Sequence, residues 1–222
     1  MTFPFPDLNE FIKKYNGILQ IIQSEAIFVR GIELQKEKIL IVDELLSELV
    51  LLREKAIAEQ IEDKANFLLC LQFACEAMKN ELLLIVSLKE DVAAKAWDYL
   101  CDAQNLISLS IINNPFKGDY LIGYAQRLHL YEILLFPKMK FASRGCIVGR
   151  TECSICGQTY GDCEHIKGHF YMGKLCGEIV QEVISLEEIS LVDNPADKRC
   201  RIISYSENGK QFDVLTHREI QN

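Results

Sequence analysis

Apolar residues recur at steps of three and four through much of the first 135 positions, which is the spacing of one face of an α-helix. Ile39, Val42, Leu46 and Leu49 form one run, which Leu45 and Leu52 widen. The same spacing recurs at Phe67, Leu71, Ala74, Met78, Leu82 and Ile85, and again at Val92, Ala96, Leu100, Ala103 and Ile107. The pattern predicts successive helices with wide apolar faces.

The distribution of helix-breaking residues agrees with this pattern. No proline lies between Pro6 and Pro115, and only two of the 12 glycines lie in the first half of the chain. Proline disfavours helix in the residue before it, so Pro115 ends the last of these helices. A further helix is predicted from about Asp119 to Phe136, and it ends before Pro137.

After position 138 the apolar runs become short, rich in β-branched and aromatic residues, and interrupted by glycine, asparagine, aspartate and proline. This texture is typical of strands and turns. Asn208-Gly209 predicts a hairpin, because both residues accept a positive φ. We therefore expect an α+β protein with two domains: a helical bundle over residues 1–138 and a small β-rich domain over residues 139–222.

The helical faces leave the oligomeric state open. Packing within one chain accounts for them, but a stripe such as Ile39–Leu52 could also form a dimer interface. A protein partner or a second copy of the chain is thus expected to contact the bundle.

Composition excludes several classes of function. Hydrophobic residues make up 49% and charged residues 25% of the chain, as in ordinary globular proteins. The net charge of −8 argues against nucleic-acid binding and against anionic lipid. The N-terminus has no basic start and no long apolar core, and stretches such as Leu82–Val86 are too short to cross a bilayer. A soluble, cytoplasmic protein is expected.

The segment "CSICGQTYGDCEH" concentrates metal-binding chemistry. It contains Cys153, Cys156, Cys163 and His165, spaced as Cys-x2-Cys-x6-Cys-x-His. The first pair, followed by glycine, has the form of a zinc knuckle, in which a tight turn brings two thiolates to one ion. Three cysteines and one histidine fill the tetrahedron of a structural zinc, so the cofactor predicted is structural Zn²⁺. A small β-rich domain has a thin core and benefits from such a cross-link.

The fourth ligand has alternatives. His169 or Cys176 could take the place of His165; otherwise we expect His169 at the surface or at a strand start, and Cys176 in a strand core. The five remaining cysteines are interpreted as core residues: Cys70, Cys75 and Cys101 in the helices, and Cys146 and Cys200 in apolar, strand-like contexts.

Residues Leu186–Ile202, "LEEISLVDNPADKRCRI", resemble the closing strand and loop of phage prohead maturation proteases. Some relatives in that family carry a zinc knuckle before this strand, so the resemblance spans about residues 141–202. It implies a related β-domain. By position, Ser143 compares with the catalytic serine of the family. The histidine that precedes it, His129, lies in a predicted helix rather than in a strand, so the catalytic pair is expected to be missing.

The leading hypothesis is a non-enzymatic, zinc-binding interaction or regulatory protein, phage-related or involved in phage defence through the resemblance, with no catalytic residues. The alternative is an enzyme, either a diverged serine peptidase that uses Ser143 or a zinc hydrolase of prohead-protease-like fold. In the hydrolase, His165 would not be a ligand, so one position on the zinc would stay open to water. The sequence identifies neither the partner nor the pathway.

Overall fold

The computed structural model describes residues 4–27, 29–116 and 119–221. In this part of the chain, five α-helices come first and eight short β-strands follow, so the α+β prediction is confirmed. The helices are α1 (Asn9–Ile21), α2 (Ile32–Ala58), α3 (Glu62–Lys89), α4 (Ala93–Asn113) and α5 (Asp119–Leu135). A 3₁₀ turn (Pro6–Leu8) precedes α1 and a π-helical turn (Ile22–Ala26) follows it. Among the described residues, no helix is both long and apolar enough to cross a membrane.

The strands follow in order. They are β1 (Phe141–Val148), β2 (Thr151–Cys153), β3 (Phe170–Tyr171), β4 (Lys174–Leu175), β5 (Glu178–Val180), β6 (Val183–Val192), β7 (Ser204–Glu207) and β8 (Lys210–Asp213). Within the described ranges they form four separate two-stranded sheets: β1 with β6, β2 with β5, β3 with β4, and β7 with β8. Because two-stranded sheets are marginally stable alone, other contacts must hold these pairs.

The chain divides into two compact units, Met1–Ala125 with Phe170–Lys174, and Gln126–His169 with Leu175–Asn222. The first unit contains the helices α1 to α4 and takes in residues 170–174 from the second half of the chain. The domain limits expected from the sequence, 1–138 and 139–222, remain a prediction, because compactness alone does not show that a segment folds independently.

The core of the first unit lies along α2 and α3. Val42, Leu45 and Leu49 of α2 are fully buried and belong to one apolar cluster with Leu68 and Met78 of α3. The Ile39–Leu52 stripe is thus packed within the chain, as the first of its two interpretations predicted. Contact of the chain with a second copy remains a prediction.

Two left-handed residues join α2 to α3 and α3 to α4 in the same way. After α2, Gln60 has φ +60°, and the Ile61 N–H donates to the Ala56 carbonyl at 3.0 Å. After α3, Asp91 has φ +60°, and the Val92 N–H donates to the Ser87 carbonyl at 2.8 Å. Both are Schellman-type ends, which satisfy the last helical carbonyls and reverse the chain in a few residues. Glycine is the usual residue at this left-handed position. Because Gln60 and Asp91 occupy it here, the sequence did not predict either turn.

The predicted hairpin at Asn208-Gly209 is confirmed: β7 and β8 pair around it, with φ +50° and +79° at these two residues. The core assignment is confirmed for Cys70, Cys75 and Cys101, which are buried. Burial raises the pKa of Cys70 and of Cys75 to about 12, so both thiols stay protonated at neutral pH.

The core assignment of Cys146 and Cys200 is wrong, because both are exposed. Cys146 lies on β1 opposite Leu186 of β6. β1 and β6 form a two-stranded sheet. The apolar residues of β1 predict a strand, but they do not specify whether another layer packs on its face. Cys200 lies outside the strands, where its carbonyl accepts the Ala142 N–H at 2.8 Å.

Candidate metal centre

The first half of the centre is the turn that follows β2. Cys153 ends this strand and is buried, and its carbonyl accepts the Gly157 N–H at 2.8 Å. Gly157 has φ +72°, the left-handed value that glycine adopts without strain. The Ile155 N–H points at the Cys153 sulfur, 3.4 Å from nitrogen to sulfur. The turn thus forms the predicted knuckle and leaves Cys156 at its exposed tip.

The second half is an irregular segment that carries Cys163 and His165, both partly buried. Gly161 precedes it with φ +103°, a backbone conformation that other residues rarely adopt. The Lys167 N–H donates to the Tyr160 hydroxyl at 3.0 Å and closes the loop around the two ligand residues. A cysteine and a histidine two positions apart therefore reach one point from a fixed turn, without a strand beneath them.

The two halves meet. The sulfur atoms of Cys153, Cys156 and Cys163 and one ring nitrogen of His165 all lie within 4.8 Å of one another. Four donors at such separations could hold a metal ion. The structure therefore brings together all four residues that the sequence predicted as ligands.

The donor set fits a borderline or soft divalent ion. Thiolate and imidazole suit zinc, which takes four such ligands in a tetrahedron, whereas calcium and magnesium require oxygen donors. When bound, a zinc ion would neutralise the charge of two of the three thiolates and hold the β2 turn against the following loop. With four protein donors, such a site has the composition of a structural centre rather than a catalytic one.

The surroundings shift the pKa values of Cys153 and Cys163 in opposite directions. Burial opposes ionisation of Cys153, but hydrogen bonds from the Cys156 and Ile155 backbone N–H groups, and from the neighbouring thiols, lower its pKa to about 6. The His165 backbone N–H favours the Cys163 thiolate, yet burial and the Cys156 and Cys153 sulfurs raise the pKa of Cys163 overall. Cys153 is therefore the thiol that ionises before Cys163 does.

The two alternative ligands, His169 and Cys176, differ in their exposure and in their distance from the centre. His169 is exposed and lies directly before β3, and it is not among the four clustered donors. Cys176 lies in the link from β4 to β5 and is buried. Its sulfur lies 3.9 Å from that of Cys153. Burial, and then the Cys153 sulfur, raises the pKa of Cys176 to about 11.

Sequence reasoning missed the hydrogen bonds that join the first half of the centre to the start of β5. Ser154 follows the first ligand, and Gly177 lies 23 positions later. The Gly177 N–H donates to the Ser154 hydroxyl at 2.7 Å, and the Ser154 N–H donates to the Gly177 carbonyl at 3.0 Å. These bonds extend the antiparallel pairing of β2 with β5. A serine and a glycine are too common for this pairing to be visible in the sequence.

The structure places the two residues compared with the protease catalytic pair, and the segment that carries the resemblance, in regular secondary structure or next to it. Ser143 lies on β1 opposite Ser190 of β6 and is partly buried. His129 lies on α5, where its Nδ1 atom is 3.6 Å from a carboxylate oxygen of Glu132. The "SLV" part of the resembling segment is the end of β6, and Asp193 after it forms an ion pair with Lys140 at 2.7 Å, which lowers the pKa of Asp193.

Comparisons of the chain with models of protein families, with curated proteins and with solved structures found no match.

Proposed function

We propose that the chain is a non-enzymatic, zinc-binding interaction protein in which Cys153, Cys156, Cys163 and His165 hold a structural Zn²⁺. The convergence of these four donors within 4.8 Å supports this proposal. Because the ligands come from two loops, the binding energy of the metal counts as folding energy for the region that contains them.

The interaction role is supported by an apolar surface on the β1–β6 ribbon. The register of the two strands shifts between Gly145 and Cys146 and again between Ile147 and Val148. It places on one face, here named the ribbon face, Ala142, Arg144, Cys146 and Val148 of β1, opposite Leu191, Ile189, Leu186 and Val183 of β6. Leu186, Ile189 and Leu191 are 73%, 79% and 68% exposed. Apart from Arg144, the residues of this face are apolar, and an exposed apolar face is typical of a protein-binding surface. We propose that a protein partner or a second copy of the chain covers it, in a phage-related setting that follows from the resemblance alone.

Metal analysis of the purified full-length chain tests the zinc centre. The expected result is about one zinc per chain. Cys153→Ser should lose the metal and become susceptible to proteolysis in the segment after β1. Cys146→Ser is the matched control, since it removes an exposed thiol outside the cluster. A metal-free wild-type chain that resists proteolysis as well as the loaded chain would overturn the proposal.

A pair of variants tests the interaction surface. Leu186→Ser with Ile189→Ser should abolish association of the chain with itself or with a purified partner, measured as mass in solution. Leu40→Ser with Leu51→Ser is the control, because these leucines of α2 are 65% and 67% exposed but lie outside the ribbon face. Equal effects of the two pairs would show that the ribbon face has no specific role.

The enzymatic alternative makes a distinct prediction. If the chain is a serine peptidase, Ser143→Ala should abolish its hydrolysis of casein while the protein retains its zinc. The proposed function instead predicts no hydrolysis above that of a buffer control in either protein.

A further inference from the structure

One further cysteine sulfur lies beside the four clustered donors of the centre. Besides the four clustered ligands, Cys176 places its sulfur 3.9 Å from the Cys153 sulfur, and its side chain is 1% exposed. Two sulfur ligands of one zinc, each about 2.3 Å from the metal at a tetrahedral angle, lie about 3.8 Å apart. The Cys153–Cys176 separation is therefore that of two thiolates on the same ion.

The backbone holds Cys176 in this position from both sides. Its N–H donates to the His169 carbonyl at 2.8 Å, and its carbonyl accepts the Gly168 N–H at 2.9 Å. These bonds attach it to the segment that follows His165. On its other side, Gly177 exchanges two hydrogen bonds with Ser154, the residue after Cys153. Cys176 is thus held between residues 168–169, which follow the second ligand pair, and the turn that carries the first pair.

The surroundings of Cys176 differ from those of the core cysteines. Cys70 on α3 packs with Leu69 and Phe170 in an apolar cluster. Cys176 instead contacts the sulfur of a ligand residue. Packing explains the first thiol, whereas the second lies at 3.9 Å from the Cys153 sulfur, a distance that fits an S–H···S hydrogen bond in the metal-free chain and two sulfur ligands when a metal is bound.

We propose that Cys176 is an alternative fourth ligand of the metal centre, which replaces His165 and converts a site of three cysteines and one histidine into a site of four cysteines. This inference rests on the proposed zinc centre. In the exchange, the Cys176 thiol gives its proton to water and its sulfur bonds the metal, while the bond between the metal and the His165 nitrogen breaks. Soft thiolate ligands select soft ions, so the all-cysteine form favours thiophilic divalent metals such as cadmium and zinc.

His165→Ala and His165→Asn, each with and without Cys176→Ser, test the exchange in the full-length chain grown with zinc. The zinc content is measured, and X-ray absorption counts the sulfur atoms around the metal. Both His165 variants should retain about one zinc, coordinated by four sulfurs. Adding Cys176→Ser should remove the metal, whereas Cys176→Ser alone should retain zinc with three sulfurs and one nitrogen. His169→Ala is the matched control and should behave as the wild type.

Different results would contradict the ligand exchange and the zinc centre. His165 variants that lose zinc while their helices remain folded, or that keep it regardless of Cys176, would overturn the exchange and leave the zinc centre standing. A wild-type chain that binds no zinc would instead refute the centre itself.

If neither His165 variant folds, the wild type and Cys176→Ser are compared after loading with cadmium alone. Four sulfurs around cadmium in the wild type and three in the variant are expected. Three sulfurs in both proteins would overturn the proposal.

Discussion

The backbone N–H of Gly173 donates to the side-chain oxygen of Asn66 at 2.8 Å, across 107 positions of the chain. The same Asn66 side chain donates its amide to the Phe170 carbonyl at 3.2 Å, so it bonds both the first residue and the turn of the β3–β4 hairpin. Two further side chains assist it: Glu62 accepts the Met172 N–H at 3.0 Å, and Asn113 accepts the Phe170 N–H at 2.9 Å. Helices α3 and α4 therefore replace the neighbouring strands that this hairpin lacks in the described part of the chain.

Asn66→Ala should destabilise the first unit. It leaves the Gly173 N–H and the Phe170 carbonyl without their side-chain partner, and an unsatisfied backbone group costs about 1–3 kcal/mol. Chemical denaturation followed by helical circular dichroism measures the loss in free energy of unfolding. Asn80→Ala is the control, because Asn80 bonds the Glu76 carbonyl of its own helix. A difference of less than about 0.5 kcal/mol between the two variants would contradict the anchoring role of Asn66.

Gly173→Ala should be more destabilising than Gly209→Ala. Both glycines have positive φ, +68° and +79°, so each alanine carries backbone strain of about 1 kcal/mol. At Gly173 the new Cβ would also lie 3.1 Å from Ile57 and 3.2 Å from Ala65, whereas at Gly209 no atom lies within 4 Å. The difference in the free energy of unfolding between the two variants measures the packing cost. Equal losses would show that the hairpin moves away from α2 and α3 without cost.

Gln60→Gly should stabilise the chain. Gln60 has φ +60°, where a residue with a Cβ is disfavoured and glycine is not. We expect a gain of about 0.5–1 kcal/mol in the free energy of unfolding, since strain relief exceeds the added chain entropy of glycine. Thermal denaturation would detect it as a higher midpoint. A lower midpoint would mean that the Gln60 side chain makes a contribution greater than the strain.

Metal affinity should fall as the pH is lowered, in two stages. At pH 7 the Cys163 thiol is protonated in the metal-free chain, because its pKa is raised above the ordinary 9.0, so binding displaces its proton. Cys153, with a pKa of about 6, is already ionised at pH 7 and takes up a proton only below about pH 6. The slope of affinity against pH should therefore steepen below that value.

Competition of the chain with a chromophoric chelator for zinc, from about pH 8 to about pH 5, measures this dependence. The sign for the metal-free fold is the same. The pKa of Cys153 is lower in the folded chain than its ordinary value of 9.0, so its ionisation favours folding above pH 9 and this contribution disappears as the pH falls towards 6. A slope that stays constant through pH 6 would show that Cys153 is not ionised before the metal binds.

The sequence by itself determined the features that depend on neighbouring residues. Helical periodicity and the absence of proline located α2 to α4, Pro137 ended α5, and Asn208-Gly209 set the β7–β8 hairpin. The spacing of Cys153, Cys156, Cys163 and His165 was enough to identify the candidate ligands, because all four lie within one short segment. Each of these features depends on local backbone geometry, which residues close together in the sequence determine.

Only the tertiary structure decided the features that depend on residues far apart in the chain. The approach of Cys176 to Cys153, the exchange of hydrogen bonds between Ser154 and Gly177, and the grip of Asn66 on the β3–β4 hairpin leave no local pattern. The same is true of burial: the apolar context of Cys146 resembles that of a core strand, yet its side chain is exposed on the two-stranded β1–β6 ribbon. Burial is a property of what packs against a residue, and the residue's own neighbours in sequence do not specify that partner.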